Sequence, residues 1–232
     1  TLFHELRAER YYYFDHITTT DGLPSNTIYC TLQDRTGFMW IGTRDGLSRY
    51  DGNSFIHMRD LVTSDEIGGN VFTICEDTEG QIWYSTPSGV NIYNPMTGSK
   101  KSLGTVGGSS FTIQADTKGR VWLIAEGLTR YDCTTLEKKT YGFDRLWPSS
   151  LAIDSYGTIW VVMSNGSLYA YDARTDSFES RDCGLAIRNI TAAENGKLLV
   201  ATSQNEVMYL DCITMNTESI FKAEKGTNIN CI

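Results

Sequence analysis

Residues able to do chemistry are present in this sequence, but they repeat rather than converge. Four aspartates, Asp34, Asp77, Asp116 and Asp154, each open an Asp-x-x-Gly unit, and carboxylates are what acid–base or metal chemistry would need. A calcium loop would add alternating oxygen ligands and a bidentate Glu at the twelfth position, and neither follows Asp34. The histidines His4, His16 and His57 are far apart in sequence; the last two sit in matching contexts, Phe14-Asp15-His16-Ile17 and Phe55-Ile56-His57-Met58, which favours a surface role. There is no Gly-x-Ser-x-Gly, no His-Glu-x-x-His and no phosphate-cradling glycine loop. The six cysteines (Cys30, Cys75, Cys133, Cys183, Cys212 and Cys231) include no Cys-x-x-Cys pair, too sparse for a disulfide scaffold and too scattered for zinc. Cys30 and Cys75 lie in apolar stretches and read as buried thiols. Carboxylates meeting across a fold in the manner of glycosidases are the one catalytic arrangement left open. The expectation is no catalytic residue, no metal and no cofactor.

The elements that carry these residues recur. Gly37, Gly80, Gly119, Gly157 and Gly196 are 43, 39, 38 and 39 residues apart, a period that means stacked supersecondary units. Three residues after each glycine comes Trp40, Trp83, Trp122, Trp160 and, in the fifth copy, Leu199; Ala193 stands there where the other copies have Asp. Asp-x-x-Gly is turn chemistry: the carboxylate accepts from backbone N–H groups and glycine supplies the left-handed conformation. An apolar run precedes each turn and the Trp-bearing run follows it. A third run ends in Tyr50-Asp51, Tyr93-Asn94, Tyr131-Asp132, Tyr171-Asp172 or Leu210-Asp211, and a more polar fourth closes the unit. Four short β-rich runs per repeat without helical periodicity predict an all-β fold, a β-propeller of four-stranded antiparallel blades.

The expected division is blade 1 over residues 26–69, blade 2 over 70–109, blade 3 over 110–149, blade 4 over 150–188 and blade 5 over 189–227. Residues 228–232 read as the first strand of a sixth blade. Residues 1–25 read as a lead-in whose Phe14–Ile17 segment is an outer strand that closes the ring. Five full blades and parts of a sixth read as an incomplete propeller, a piece of a seven-bladed ring, with exposed blade edges that would associate.

Bulk composition excludes some functions. The chain has 232 residues and a net charge of −8, with its 20 basic residues scattered along it, so no basic face for nucleic acid is expected. No apolar run is long enough for a membrane helix, and the first residues lack the pattern of a signal peptide.

The stretch from Asp21 to Gly52, with Asp21-Gly22-Leu23-Pro24-Ser25-Asn26, the Asp34–Gly37 turn, Trp40-Ile41-Gly42-Thr43, Asp45-Gly46-Leu47 and Tyr50-Asp51-Gly52, closely resembles the two-component regulator propeller repeat. The resemblance extends from residue 14 to residue 232 and is weakest in the fifth copy. It implies the periplasmic sensor region of a Bacteroidetes-type hybrid two-component system, the ectodomain of an inner-membrane histidine kinase. It further implies a dimer, packing against further propeller and β-sandwich domains of the same protein, and an oligosaccharide ligand whose recognition regulates transcription of glycan-utilisation genes. The kinase itself is not in these residues. Two other readings stand beside it: a protein-interaction propeller without a small ligand, and a propeller lyase or glycosidase.

Features shared by every blade build blades, so a ligand site is sought where the copies differ. Those positions are the loops between second and third strands and between blades. The candidates are Arg44, Asp45, Asp65, Glu126, Trp147, Asn165, Arg188 and Gln204, which together offer planar amides, guanidinium and carboxylate groups and an aromatic face.

Overall fold

The computed structural model describes residues 14–58, 69–104, 112–125, 127–224 and 229. Its strands form five four-stranded antiparallel sheets, each built from consecutive strands, which are the blades of a β-propeller. Blade 1 comprises β1 (Ile28–Gln33), β2 (Met39–Thr43), β3 (Gly46–Tyr50) and β4 (Phe55–His57). Blade 2 comprises β5 (Thr73–Glu76), β6 (Ile82–Thr86), β7 (Gly89–Tyr93) and β8 (Lys100–Ser102). Blade 3 comprises β9 (Thr112–Ala115), β10 (Arg120–Ile124), β11 (Leu128–Asp132) and β12 (Lys138–Tyr141). Blade 4 comprises β13 (Pro148–Ile153), β14 (Ile159–Met163), β15 (Leu168–Asp172) and β16 (Ser177–Arg181). Blade 5 comprises β17 (Ile187–Ala192), β18 (Lys197–Thr202), β19 (Glu206–Asp211) and β20 (Thr217–Lys222).

Two blades start earlier than the sequence suggests. β13 opens at Pro148 and β17 at Ile187, because a register shift after each lets the inner strand keep pairing toward the loop. The outer strand expected at Phe14–Ile17 is not formed; each sheet already has four strands of its own, and Phe14 is 90% exposed. The sixth-blade strand expected at 228–232 lies outside the described residues, apart from Ile229.

Each Asp-x-x-Gly turn does more than reverse the chain. Asp34 Oδ1 accepts from the backbone N–H groups of Thr36 (2.9 Å) and Phe38 (3.1 Å), while Oδ2 accepts from the indole Nε1 of Trp40 at 2.7 Å. The indole bond recurs from Trp83 to Asp77 (2.7 Å), Trp122 to Asp116 (2.9 Å) and Trp160 to Asp154 (2.8 Å). Gly37 has φ 94°, a left-handed conformation that a side chain would strain. Gly42, next to Ile41 on β2, is glycine for another reason: a Cβ there would meet Cys30 Sγ and come within 2.8 Å of the Val71 carbonyl.

The core lies between blades. Trp40 packs on Tyr93 of blade 2 with ring centroids 5.8 Å apart, Trp83 on Tyr131 of blade 3 at 5.8 Å, and Trp122 on Tyr171 of blade 4 at 5.0 Å. Trp160 instead joins Leu210 of blade 5 in one apolar cluster. Burying such rings supplies the largest apolar contribution per residue at each junction. Turn-to-turn bonds add to it: the Arg35 guanidinium reaches Glu76 at 2.5 Å and the carbonyls of Asp77 and Thr78, and Gly196 N donates to Ser155 Oγ at 2.9 Å.

Candidate functional site

In sheets of this topology, the turns joining first to second and third to fourth strands lie at one end. The loops joining second to third strands, and one blade to the next, lie at the other. The described candidate residues therefore share one face, which backbone bonds lace together. Arg44 N donates to Thr27 O at 3.0 Å, Ser164 N to Trp147 O at 2.7 Å, Ile187 N to Gly166 O at 3.0 Å and Ser203 N to Ala186 O at 2.8 Å.

The structure divides the candidates. Arg44 and Asp45 are exposed at the tip of the β2–β3 turn, which Thr43 fixes by donating its hydroxyl to Gly46 O at 2.9 Å and accepting from Asp45 N. Trp147 is 61% exposed, and its backbone is tied to the Asn165 turn through Ser164. Asn165 is less free than its sequence context suggests, because its amide oxygen accepts from Ser167 N at 3.0 Å and Oγ at 2.6 Å. Arg188 Nη1 donates to Asn205 Oδ1 at 3.3 Å, one residue from Gln204. Trp147 thus pairs with the Asn165 loop and Arg188 with the Gln204 loop. Of these residues Gln204 lines a cleft of about 60 Å³, with Gly184, Leu185 and Met208. Asp65 and Glu126 lie outside the described residues.

Sequence reasoning missed a second set on the same face. The inner strands β1, β5, β9, β13 and β17 run side by side, each entering from the loop face. Five residues before the turn aspartate, or before Ala193 in blade 5, stand Tyr29, Phe72, Ser149 and Arg188. Tyr29 is 43% exposed, and its ring centroid lies 5.4 Å from that of Phe72. The signal was available: one strand position holding a phenol, a phenyl, a hydroxyl and a guanidinium is unlike the repeated core positions around it. Neighbouring inner strands are also cross-linked, by Ile190 N to Ser150 Oγ at 3.1 Å and by Gln114 Nε2 to Leu151 O at 3.1 Å.

Among the described residues nothing on this face forms a nucleophile–base pair. His57 lies on β4 and shares a hydrogen bond with Ser48 at 2.8 Å. Among the described residues no group of three His, Cys, Asp or Glu side chains is placed to hold a metal. Burial pushes the Cys30 and Cys133 thiols up to about 12, with only slight relief from backbone N–H groups, so these thiols are far from nucleophilic.

With this geometry in view, comparison with known proteins is informative. Residues 22–45 and 65–88 match the two-component regulator propeller model. These two segments, which lead into the first two blades, are similar to two-component regulator propeller repeats. Over 42 residues it is 43% identical to histidine kinase P4 of Formosa agariphila, covering 18% of this chain and 3% of that protein. Among solved structures it is similar to the extracellular domain of the proposed hybrid two-component system BT4673 from B. thetaiotaomicron. The TM-score is 0.69 at 21% identity, over 88% of this chain and 32% of that one. It is also similar to the Swd1 β-propeller domain of Myceliophteria thermophila, with TM-score 0.68 at 14% identity, over 87% of this chain and 73% of that one. These likenesses establish the propeller fold. The chain spans about a third of the length of the B. thetaiotaomicron domain. Among the described residues no helix is long and apolar enough to cross a membrane.

Proposed function

We propose that this chain is part of the extracytoplasmic sensor of a hybrid two-component system, and that its loop face recognises an oligosaccharide. The observation that carries the reading is a division of labour within the repeat. The Asp–Trp turns and Trp–Tyr contacts recur from blade to blade, while Tyr29, Phe72, Trp147, Ser149, Arg188 and Gln204 differ and share the loop face. Exposed rings beside amide and guanidinium groups suit the apolar faces and hydroxyl edges of sugars. The similarity to two-component regulator propeller repeats supports the sensor role, and the likeness to a bacterial extracellular domain supports the location. On this reading the region binds and relays without turnover. The relay acts through further domains and a dimer, and its output is transcription of glycan-utilisation genes.

The small size of the cleft at Gln204, about 60 Å³, favours a second reading in which the partner is a protein. Titration calorimetry against oligosaccharides released from plant and algal glycans separates the two. A saccharide that binds wild type and is lost in Tyr29→Ala or Trp147→Ala supports the sensor. No heat from any saccharide, on a chain shown to be folded, overturns the oligosaccharide reading and leaves the protein partner.

A further inference from the structure

Four junctions join successive blades, and at each the repeat pairs one third-strand position with one position in the next blade's turn between third and fourth strands. The third-strand residues, one before the Tyr or Leu of each Tyr-Asp pair, are Arg49, Ile92, Arg130 and Ala170, with Tyr209 following at the end of the series. The turn residues, four after the Asp or Asn, are Gly98, Leu136, Asp176 and Met215, and all have left-handed backbone with φ of 71°, 60°, 48° and 59°. Three junctions are chemically matched. Ile92 and Leu136 share one apolar cluster, as do Ala170 and Met215.

Arg130 meets Asp176 at 2.8 Å, and the carboxylate also receives Lys139 Nζ at 2.6 Å and the hydroxyls of Tyr141 and Tyr171 at 2.7 and 2.6 Å. At the first junction the position equivalent to Asp176 is Gly98, which has no side chain. A Cβ added at Gly98 would meet no atom within 4 Å. The Arg49 guanidinium lies 4.4 Å over the Phe38 ring and 5.9 Å from that of Trp40, with no ion pair or hydrogen bond among the described residues. It borders a cleft of about 240 Å³ whose other walls include Phe38, Glu76, Glu79, Pro95 and Met96.

We propose that this cleft binds a small monocarboxylate with an apolar body, whose carboxylate takes the place at Arg49 that Asp176 fills at Arg130. Arg49 supplies a planar pair of donors for one carboxylate. Phe38, Pro95 and Met96 supply the apolar wall, and Met96 is 91% exposed until something covers it. The other charges set the selectivity. Arg35 is engaged by Glu76 at 2.5 Å, and both Asp34 oxygens accept hydrogen bonds within the turn. Glu79 has no cation among the described residues, so the rim repels a second negative charge. Monoanions are therefore preferred over dianions. The site lies at the turn end of the blades, opposite the loop face, so it stands or falls independently of the oligosaccharide reading.

The test is calorimetry and ligand-observed NMR on the 232-residue chain with 3-phenylpropionate, its neutral amide, glucuronate and succinate. The acid is expected to bind at least about tenfold tighter than the amide, in keeping with one charge-assisted pair. Arg49→Gln and Gly98→Asp should each remove at least about tenfold of that affinity, and Gly98→Asp should do so while the melting temperature holds or rises. Asp tolerates this backbone, as Asp176 shows at φ 48°. Preference for 3-phenylpropionate over glucuronate supports the proposal, and preference for glucuronate overturns its apolar body. Equal binding of acid and amide, tighter binding of succinate, or full affinity in the Gly98→Asp variant overturns it, as does no binding of either acid. Should one variant fail to fold, the other together with the acid–amide comparison still decides.

Discussion

Trp83 and Asp77 are joined by a 2.7 Å hydrogen bond from indole Nε1 to carboxylate Oδ2, and both side chains are fully buried. The same pair closes blades 1, 3 and 4. In blade 5 both halves are replaced together, Asp by Ala193 and Trp by Leu199. Losing one half alone would strand a buried polar group, whereas losing both leaves an apolar contact. The joint replacement is what that asymmetry favours.

Asp77→Ala should therefore be costly. It strands the Trp83 indole N–H and the turn N–H groups of Glu79 and Gln81, both of which donate to Oδ1 at 2.9 Å. The expected loss is about 2–4 kcal/mol, read as a lower urea midpoint. In a Trp83→Leu background the same change should cost at least about 1 kcal/mol less, because the two residues are coupled. Equal costs in the two backgrounds would show that the indole bond contributes nothing.

Acid should weaken the blade 3–4 junction most. Burial alone would raise the Asp176 carboxyl, but bonds from Lys139, Tyr141 and Tyr171, with the nearby Arg130 charge, outweigh it and hold the group well below the ordinary carboxylate range. Asp34 is lowered in the same sense: burial opposes the shift, and donors from Thr36, Trp40 and the turn backbone prevail. A carboxylate with a depressed folded pKa stabilises fully above its unfolded pKa, near 3.9, and that stability is lost as pH falls through the folded value. Stability should be level from pH 7 to about 5 and then decline toward pH 2. Asp176→Asn should be less stable at neutral pH and show a shallower decline. Urea melts at fixed pH values test this, and parallel curves for the two proteins would rule Asp176 out as a source of the slope.

Much of the fold was legible because its information is local. Asp-x-x-Gly needs only four residues to specify its turn, and the Trp–Tyr spacing repeats the blade around it. The Asp–Trp bond went unread although six residues separate the partners every time, because a turn aspartate already had a sufficient role in its backbone. Blade starts at Pro148 and Ile187 were missed because a bulge leaves no mark in the apolar pattern. The loop face was located, but its inner-strand set at Tyr29, Phe72 and Ser149 was not, since chemistry assembled across blades has no period within one. The missing side chain at the first junction is of the same kind. Gly98 means something only beside Leu136, Asp176 and Met215.

Thiol reactivity should be gated by unfolding. Burial raises the thiols of Cys30, Cys75, Cys133 and Cys212, with nearby carboxylates such as Asp77 and Asp154 adding to the effect at Cys75, Cys133 and Cys212. At pH 8 these four should resist iodoacetamide in the native state and react in urea, as read by peptide-resolved mass spectrometry. Native labelling of Cys75, which lies in the apolar cluster between blades 2 and 3, would mean that this junction opens.

The matched junction at blades 3 and 4 also allows the carboxylate to be removed and returned. Asp176→Gly recreates there the arrangement at Gly98. It leaves Arg130, Lys139 and two tyrosine hydroxyls without their common acceptor, and it should lower the melting temperature by several degrees. Glycine accepts the left-handed backbone at that position, so the loss comes from the missing acceptor and not from strain. Formate, small enough to occupy the space left by the side chain, should raise the melting temperature of Asp176→Gly at constant ionic strength and leave wild type unchanged. Binding to the folded state alone stabilises in proportion to the logarithm of ligand concentration, so the recovery should follow that form. Chloride at the same concentration should not reproduce it, because Arg130 and the two tyrosines call for an acceptor with two oxygens. Identical shifts with formate and chloride would reduce the effect to ionic screening and remove the carboxylate from the account of this junction.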